Sequence, residues 1–505
     1  MSIGKDGKKL VSSVITRYMY QVVYLLTLFF LTPYMIHKLG DYYYGLWIIV
    51  SIMVNYMSYT ELGVTSAIQR YLSMAFGEGN IKECNEIYNN GFLLNYFTCI
   101  IILVISALSA FLTIVFMIKD YYLVANLIAI MGASLAISFL FKTHYAVLTS
   151  NIRFDIISGV NVIQLVLNTV LTFILLEQGF GLTGLAVNNL VTTIISNFLY
   201  VIFSKKLYDS VFLDFGLISK ACIIKLFSYS AKSFSIQLAD VLRSKMDEIV
   251  IATLISLTMV TPYSVAQKLK SAAVNFCYMF TNILNPYIAK QENIKSREEK
   301  INTYYLMSKI MIVMISLIFF GFCYLGKPFI DIWVGSKYEV AYYVLIIIMF
   351  NYYISLVQSV GIQYMYSTDK HEYLAFINIT DGILNIILSI VFVVYFKLGI
   401  IGVALGSLAP AFFTKLILQP IYICKVINIT LYEYYIFYIK TNLTGILLYF
   451  IIGLVSLKFK PDNYLEIMAY IVAFFTFAGI HFYTILDNKE RNRFITLLKP
   501  NFAFK

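Results

Sequence analysis

Between residues 225 and 254 the chain sets Lys232, Asp240, Arg243, Lys245, Asp247 and Glu248 into an otherwise apolar stretch. Charges at membrane depth are expensive, about 2.5–3.5 kcal/mol each on insertion scales, so they face a bundle interior or water and bind or relay ions. At about 100° per residue, Lys232, Asp240, Arg243 and Asp247 fall within roughly 80° of helix circumference, while Lys245 and Glu248 project elsewhere. The Asp240–Arg243 and Arg243–Asp247 spacings are those of intrahelical ion pairs, which leaves Lys232 without an obvious partner on its own helix. Two readings fit this face: a self-neutralised network that closes two helix bundles together, or a stripe lining a cleft for a charged substrate. The extra lysine favours the second.

Further cations sit inside apolar runs: Arg17, Arg70, Lys268 and Lys270. Each alone could extend its head to the membrane surface. Together with Lys232 and Arg243 they suggest a basic ladder, and a ladder of Arg and Lys calls for an anion, with phosphate the best match. Acidic candidates for an ion-coupling or charge network are Glu61, Asp240, Asp247 and Asp381. Catalytic motifs do not emerge. Gly326-Lys327 is followed by Pro328 where a Walker loop needs Ser or Thr, and neither an Asp-x-Asp pair, a His/Cys metal spacing nor a Gly-x-Ser-x-Gly elbow occurs. The histidines His37, His144, His371 and His481 stand apart and read as interfacial or capped side chains, and the six cysteines as small core hydrophobes. The residues therefore point to transport without ATP, metal or cofactor.

The elements that must position these charges are membrane helices. Of 505 residues 60% are hydrophobic and 13% charged, with mean hydropathy +0.79, which excludes a soluble globular enzyme. Apolar runs near 20 residues recur throughout and predict about fourteen spans, near 12–35, 43–76, 88–116, 121–149, 156–177, 182–204, 225–254, 262–289, 302–326, 338–366, 373–395, 400–424, 434–457 and 464–486. The first run reads as a retained helix, not a cleaved signal. An even count puts about 24 of the 38 Lys and Arg on one side, which makes both termini cytoplasmic by the positive-inside rule. The net charge of +11 is then a topology signal, not a sign of nucleic-acid binding. The longest outer connection, 327–337, is short and itself largely apolar.

Gly181-Leu-Thr-Gly-Leu-Ala-Val recurs as Gly399-Ile-Ile-Gly-Val-Ala-Leu, and Tyr44-Gly-Leu matches Tyr263-Ser-Val, both at an offset of about 218 residues. The shared offset predicts a parallel duplication: a six-helix lobe at 1–215, a second at 216–430, and two further helices with a basic tail at 431–505. Two such bundles are the usual plan of an alternating-access transporter. Pro33, Pro286, Pro410 and Pro420 lie late or internal in spans, where kinks are tolerated. Tyrosine clusters such as Tyr42-Tyr43-Tyr44 and Tyr434-Tyr435 read mostly as interfacial belts, with some left over to stack on sugar rings.

With these features, the segments from Thr32-Pro33-Tyr34 through Leu39-Gly40-Asp41-Tyr42-Tyr43-Tyr44-Gly45-Leu46-Trp47, then Glu61-Leu62-Gly63, and Asp247-Glu248-Ile249-Val250-Ile251-Ala252 leading to Tyr263-Ser264-Val265-Ala266-Gln267-Lys268-Leu269, resemble the Wzx-type repeat-unit flippases of the multidrug/oligosaccharidyl-lipid/polysaccharide exporter superfamily. The resemblance covers nearly the full length. It implies two six-helix lobes, often followed by two extra helices, that move undecaprenyl-diphosphate-linked oligosaccharide to the outer leaflet of a bacterial cytoplasmic membrane. It brings as partners membrane lipids and polysaccharide polymerase or assembly proteins, and leaves proton or sodium coupling open. Relatives often carry Asp where this chain has Glu61. The alternatives are a cation-coupled drug antiporter, which would place acidic residues deep in the first lobe, and a membrane-embedded polymerase, ligase or glycosyltransferase, which usually needs a large outer loop or an acidic metal motif.

Overall fold

The computed structural model describes residues 3–116, 119–230, 246–291, 296–367, 372–456 and 464–492. These residues are mostly helical, with no strand among them, and ten of the helices are long and apolar enough to cross a membrane by themselves. Each of the fourteen expected spans coincides with helix in the described residues; within 225–254, only 225–230 and 246–254 are described. The protein is a multi-pass, all-α membrane protein. By internal contacts the chain forms two compact units, Met1–Leu238 and Ala239–Lys505.

The first unit begins with α1 (Ile3–Met57), which carries two spans. The connection expected between them reduces to one non-helical residue, Gly40 (φ 73°). The second span also departs from a plain helix. It ends in a 3₁₀ turn, Ser58–Glu61, passes through Leu62 (φ 52°) and Gly63 (φ 81°), and restarts as α2 (Val64–Glu78). Glu61 therefore lies at a helix break, and the Thr65 hydroxyl donates to its carboxylate at 2.6 Å. Next come α3 (Ile81–Val115), α4 (Tyr121–Leu140), α5 (Lys142–Ser150), α6 (Phe154–Glu177), α7 (Gly181–Leu207) and α8 (220–230). Asn80 caps α3 by accepting from the Glu83 amide at 3.1 Å, and its own amide reaches back to the Glu83 carboxylate. A buried relay joins three helices: Tyr88 on α3 lies 3.1 Å from His144 Nε2 on α5, and His144 Nδ1 lies 2.7 Å from the Ser204 oxygen on α7. The Ser204 proton goes to the Val201 carbonyl, so Nδ1 carries the imidazole proton and Nε2 accepts from Tyr88. His144 is a capped histidine, as its isolation in sequence suggested.

Three asparagines on α3 then fasten the segment that follows α7. Asn85 donates to the Ser210 carbonyl and accepts from the Phe212 amide; Asn89 does the same for the Phe212 carbonyl and Asp214 amide, and Asn90 for the Leu217 carbonyl and Ser219 amide, all at 2.8–3.1 Å. Each carboxamide thus stands in for one rung of a β-ladder, supplying partners to an irregular backbone that makes no ladder of its own. The strap leads into α8, whose Cys222 and Leu226 enter the core formed by α2, α3 and α5.

The second unit contains α9 (Met246–Leu254), α10 (Leu257–Gln291), α11 (Arg297–Trp333), α12 (Glu339–Leu356), α13 (Ser359–Ser367), α14 (Glu372–Val394), α15 (Gly399–Phe413), a π-helical turn (Thr414–Leu418), α16 (Gln419–Ile427), α17 (Leu431–Ser456) and α18 (Tyr464–Ile485). The segment 327–337, read as a loop in sequence, is mostly helix. Here α11 runs through Pro328 because Leu325, Ile330 and Trp333 bury on one face, which outweighs the backbone hydrogen bond that the proline forfeits. Thr430 and Glu433 form a reciprocal cap at the start of α17. The last two helices pack on α11 through a ring stack, Phe320 to Tyr449 at 5.0 Å and Tyr449 to Phe474 at 6.1 Å, and Lys309 on α11 pairs with Glu490 beyond α18 at 2.7 Å.

Candidate functional site

The first unit encloses a cavity of about 450 Å³. Five helices line it, four of them with a periodic polar face, Ser51 and Asn55 on the second limb of α1, Ser134 and Ser138 on α4, Lys142 and Tyr145 on α5, and Asn189, Thr193, Ser196, Asn197 and Tyr200 on α7, and the fifth, α6, with Gln164. Trp47 and Gln164 complete the polar and aromatic wall. The network is partly self-satisfied: Ser134 lies 2.8 Å from Asn189 Oδ1 and 3.0 Å from the Thr193 hydroxyl, and Tyr200 donates to Asn161 at 2.7 Å. Lys142 is the one charged group among the lining residues, its ammonium 4.8 Å from the Phe139 ring centre. Amides, hydroxyls, aromatic faces and one ammonium, with no carboxylate among the described wall residues, suit a hydroxyl-rich anion.

The second unit holds a different cavity, about 520 Å³, between α12, α15–α16 and α17. Tyr353, Tyr434, Tyr435, Phe350, Phe412 and Leu443 line it. The tyrosine hydroxyls turn into the protein, Tyr353 to Asn442, Tyr434 to Gln358 and Tyr435 to the Leu416 carbonyl, at 2.5–2.8 Å. What faces the space is ring and alkyl surface, a chemistry that fits a hydrocarbon chain.

The cations expected from sequence are placed as follows. Arg17 lies with its guanidinium 3.7 Å from the centre of the Phe154 ring and within electrostatic range of Tyr145 on the cavity wall. Arg70 sits over Tyr229 at 4.8 Å. Beside it Lys225 lies over Tyr71 and pairs with Glu83 at 3.0 Å, so Arg70 belongs to a cation–aromatic cluster at the α2–α3–α8 corner. In the second unit Lys270 lies 4.8 Å from the Tyr352 ring, and Lys268, on the same helix, is half-buried. Lys232, Asp240 and Arg243 lie outside the described residues.

The acidic candidates of the second unit are deeply built in. Asp247 receives both the Tyr263 hydroxyl (2.6 Å) and the Ser407 hydroxyl (2.9 Å) on Oδ2, while its buried Oδ1 has no hydrogen-bond partner among the described residues. Lys270 acts on its charge. Asn385 on α14 also donates to Ser407, at 3.0 Å, and one or two turns earlier on the same face come Asp381 and Asn378. The Thr414 hydroxyl donates to Asp381 at 2.6 Å, and the Lys415 ammonium donates to Asn378 at 3.0 Å. The repeat offset of about 218 residues maps Asn189, in the first cavity, onto Ser407. The same helix position is thus a polar node in both units.

Comparison with known proteins places this architecture. The sequence profile described as polysaccharide biosynthesis protein matches residues 43–343, well over half the chain. The chain belongs to the polysaccharide biosynthesis protein family. Its fold is that of the multidrug/oligosaccharidyl-lipid/polysaccharide exporter superfamily. A solved structure of the lipid II flippase MurJ, in an inward closed conformation, superposes with TM-score 0.73 at 17% identity, over 93% of this chain and 98% of that one. An inward-facing multidrug resistance MATE family transporter gives 0.64 at 13%, over 82% and 98%. A superfamily transporter from Pyrococcus furiosus, described as having a binding pocket of reversed polarity, gives 0.57 at 13%, over 83% and 94%. No curated protein matches the chain in sequence. The chain shares the fold of these solved transporters, and the family profile begins just before the residues that wall the first cavity.

Sequence reasoning missed Lys142 and Lys415. Both lie within expected spans, and the signal that could have found the first is the repeat of Ser134, Ser138, Lys142 and Tyr145 at helical spacing in an apolar run.

Proposed function

We propose that the protein is a flippase that carries an undecaprenyl-diphosphate-linked oligosaccharide from the cytoplasmic to the outer leaflet of a bacterial cytoplasmic membrane by alternating access, with both termini cytoplasmic. The observation that carries this reading is the first-unit cavity: amides and hydroxyls for sugar, Trp47 and Tyr145 for ring faces, and the Lys142 ammonium for phosphate. The apolar, tyrosine-walled cavity of the second unit supports a polyprenyl chain as the other part of the substrate. Arg17 and Arg70 fit a loading site near the cytoplasmic face, and Lys232, Arg243, Lys268 and Lys270 a path for the diphosphate. Glu61, Asp240, Asp247 and Asp381 form the charge network that accompanies it.

A cation-carrying antiporter is the weaker reading, because among the described residues an ammonium and no carboxylate lines the space, which repels a cationic drug. The test is reconstitution in vesicles with two probes, a fluorescent polyprenyl-diphosphate oligosaccharide and a lipophilic cationic dye. Protein-dependent movement of the lipid-linked sugar supports the assignment, and movement of the dye alone overturns it.

A further inference from the structure

The cavity of the first unit changes character along its length, and two contacts mark its levels. At one level the Ser134 hydroxyl on α4 lies 2.8 Å from Asn189 Oδ1 and 3.0 Å from the Thr193 hydroxyl on α7. At the other the Tyr145 ring on α5 meets the Tyr200 ring on α7 edge-on, with centres 5.5 Å apart. Residue numbers rise together on both sides, so α4–α5 and α7 run in the same direction. Seven to eleven residues separate the two levels, about 10–16 Å at the helical rise. Charge gathers at the second level. Lys142 precedes Tyr145 by one turn on the wall, and Arg17, seated on the Phe154 ring, acts electrostatically on Tyr145. The first level is neutral, with Ser134, Asn189 and Thr193, and Trp47 lies early on the limb of α1 that starts after Gly40.

A few polar groups placed unevenly along a pocket fix the direction in which a ligand lies. With both termini cytoplasmic, the second limb of α1, α4–α5 and α7 all run from the outer to the cytoplasmic face, which makes the cationic end the inner one and the Trp47 end the outer one. We propose that the cavity takes its substrate in a single orientation, with the diphosphate beside Lys142 and Tyr145 at the cytoplasmic end and the glycan extending along α7 to Asn189 and Trp47. This rests on the flippase reading and adds a direction to it. The reversed pose would set a dianion among uncharged groups, away from the ammonium, and leave its desolvation uncompensated. The outer end then selects the glycan by the sugars farthest from the phosphate, while the inner end accepts any lipid diphosphate. The glycan enters first and leaves first, with the diphosphate trailing near the leaflet it came from.

The experiment titrates purified full-length protein in detergent with three probes: farnesyl diphosphate, the same lipid bearing one N-acetylglucosamine, and the same lipid bearing chitotriose. Wild type should bind the trisaccharide form about tenfold tighter than the bare diphosphate, with the single sugar between them. Lys142→Ala should weaken all three about 10–100-fold and keep their order. Trp47→Ala and Asn189→Ala should instead lower the ratio of trisaccharide to bare-diphosphate affinity about 3–10-fold. Trp47→Leu, which keeps bulk and loses the indole face, replaces Trp47→Ala if that variant does not fold. An unchanged ratio in the outer variants, a loss in Lys142→Ala confined to the trisaccharide, or a trisaccharide form that binds no better than the bare diphosphate overturns the orientation, while binding of the lipid diphosphates still supports the flippase reading. If wild type binds none of the three, the flippase reading falls and this inference falls with it.

Discussion

Gly181 and Gly399 start their helices with the same left-handed turn, φ 54° and 58°. Three residues on, Gly184 and Gly402 press against the turn and the helix before it, where an added Cβ would come within 2.6 Å of the Phe180 Cβ in the turn and 3.3 Å of the Leu175 Cβ on α6, and within 3.0 Å of the Leu398 Cβ and 3.2 Å of the Phe392 backbone on α14. Both units thus reverse direction between paired helices, α6–α7 and α14–α15, with one device. A side chain fails at the first glycine for reasons of backbone conformation and at the second for lack of room. Gly184→Ala and Gly402→Ala should each destabilise the protein by about 1–3 kcal/mol, read as a lower melting temperature in detergent; equal melting temperatures would show that the helices can move apart.

Lys142→Ala should leave insertion and melting temperature nearly unchanged, because its ammonium has no carboxylate partner among the described residues and the side chain borders a cavity. Removing a charge-assisted contact to phosphate should weaken binding of a lipid-diphosphate sugar about 10–100-fold. Lys142→Arg should recover most of it, and unchanged binding in Lys142→Ala would remove the cavity from the substrate path.

Arg70→Glu should slow loading of substrate more than later steps. Reversing the charge sets an anion against the Tyr229 ring, in the cluster where Lys225 lies over Tyr71 and pairs with Glu83. Binding of lipid-diphosphate to wild type and variant in detergent is the measurement, and equal affinities would show that this corner does not handle the headgroup.

Much of the fold was legible in the sequence, for identifiable reasons. A span of 20 apolar residues has few ways to exist other than as a membrane helix, and the paired Gly-x-x-Gly segments fixed where the two halves correspond. The departures arise where backbone geometry is decided by contacts distant in sequence. Leu62 and Gly63 break the second span although Leu62 is a good helix former, and 327–333 stay helical through Pro328. The site was half legible. Asp247 and Asp381 stood out as charges in apolar runs, but depth alone does not tell which way a lysine points, so Lys142 and Lys415 looked like any other cation in the membrane. Their roles follow from neighbours more than 30 residues away, such as Asn378, or from faces that only converge once the helices pack.

The membrane potential should help the proposed transport. A diphosphate diester carries about two negative charges and leaves the negative side, which favours export of the anion by about 4–5 kcal/mol at 100 mV. In proteoliposomes with a clamped potassium potential and no sodium or proton gradient, flipping should speed up when the substrate side is negative and slow when it is positive. Indifference to the sign would point instead to a tightly coupled counter-ion.

The asparagine strap sets an order on biogenesis. Its anchors, Asn85, Asn89 and Asn90, leave the ribosome more than a hundred residues before the backbone they hold, and the last bond closes at Ser219, before any helix of the second unit has been made. Chains fold as they are synthesised, N-terminal unit first. The first unit can therefore seal its own trailing edge while the helices of the second are still to be inserted.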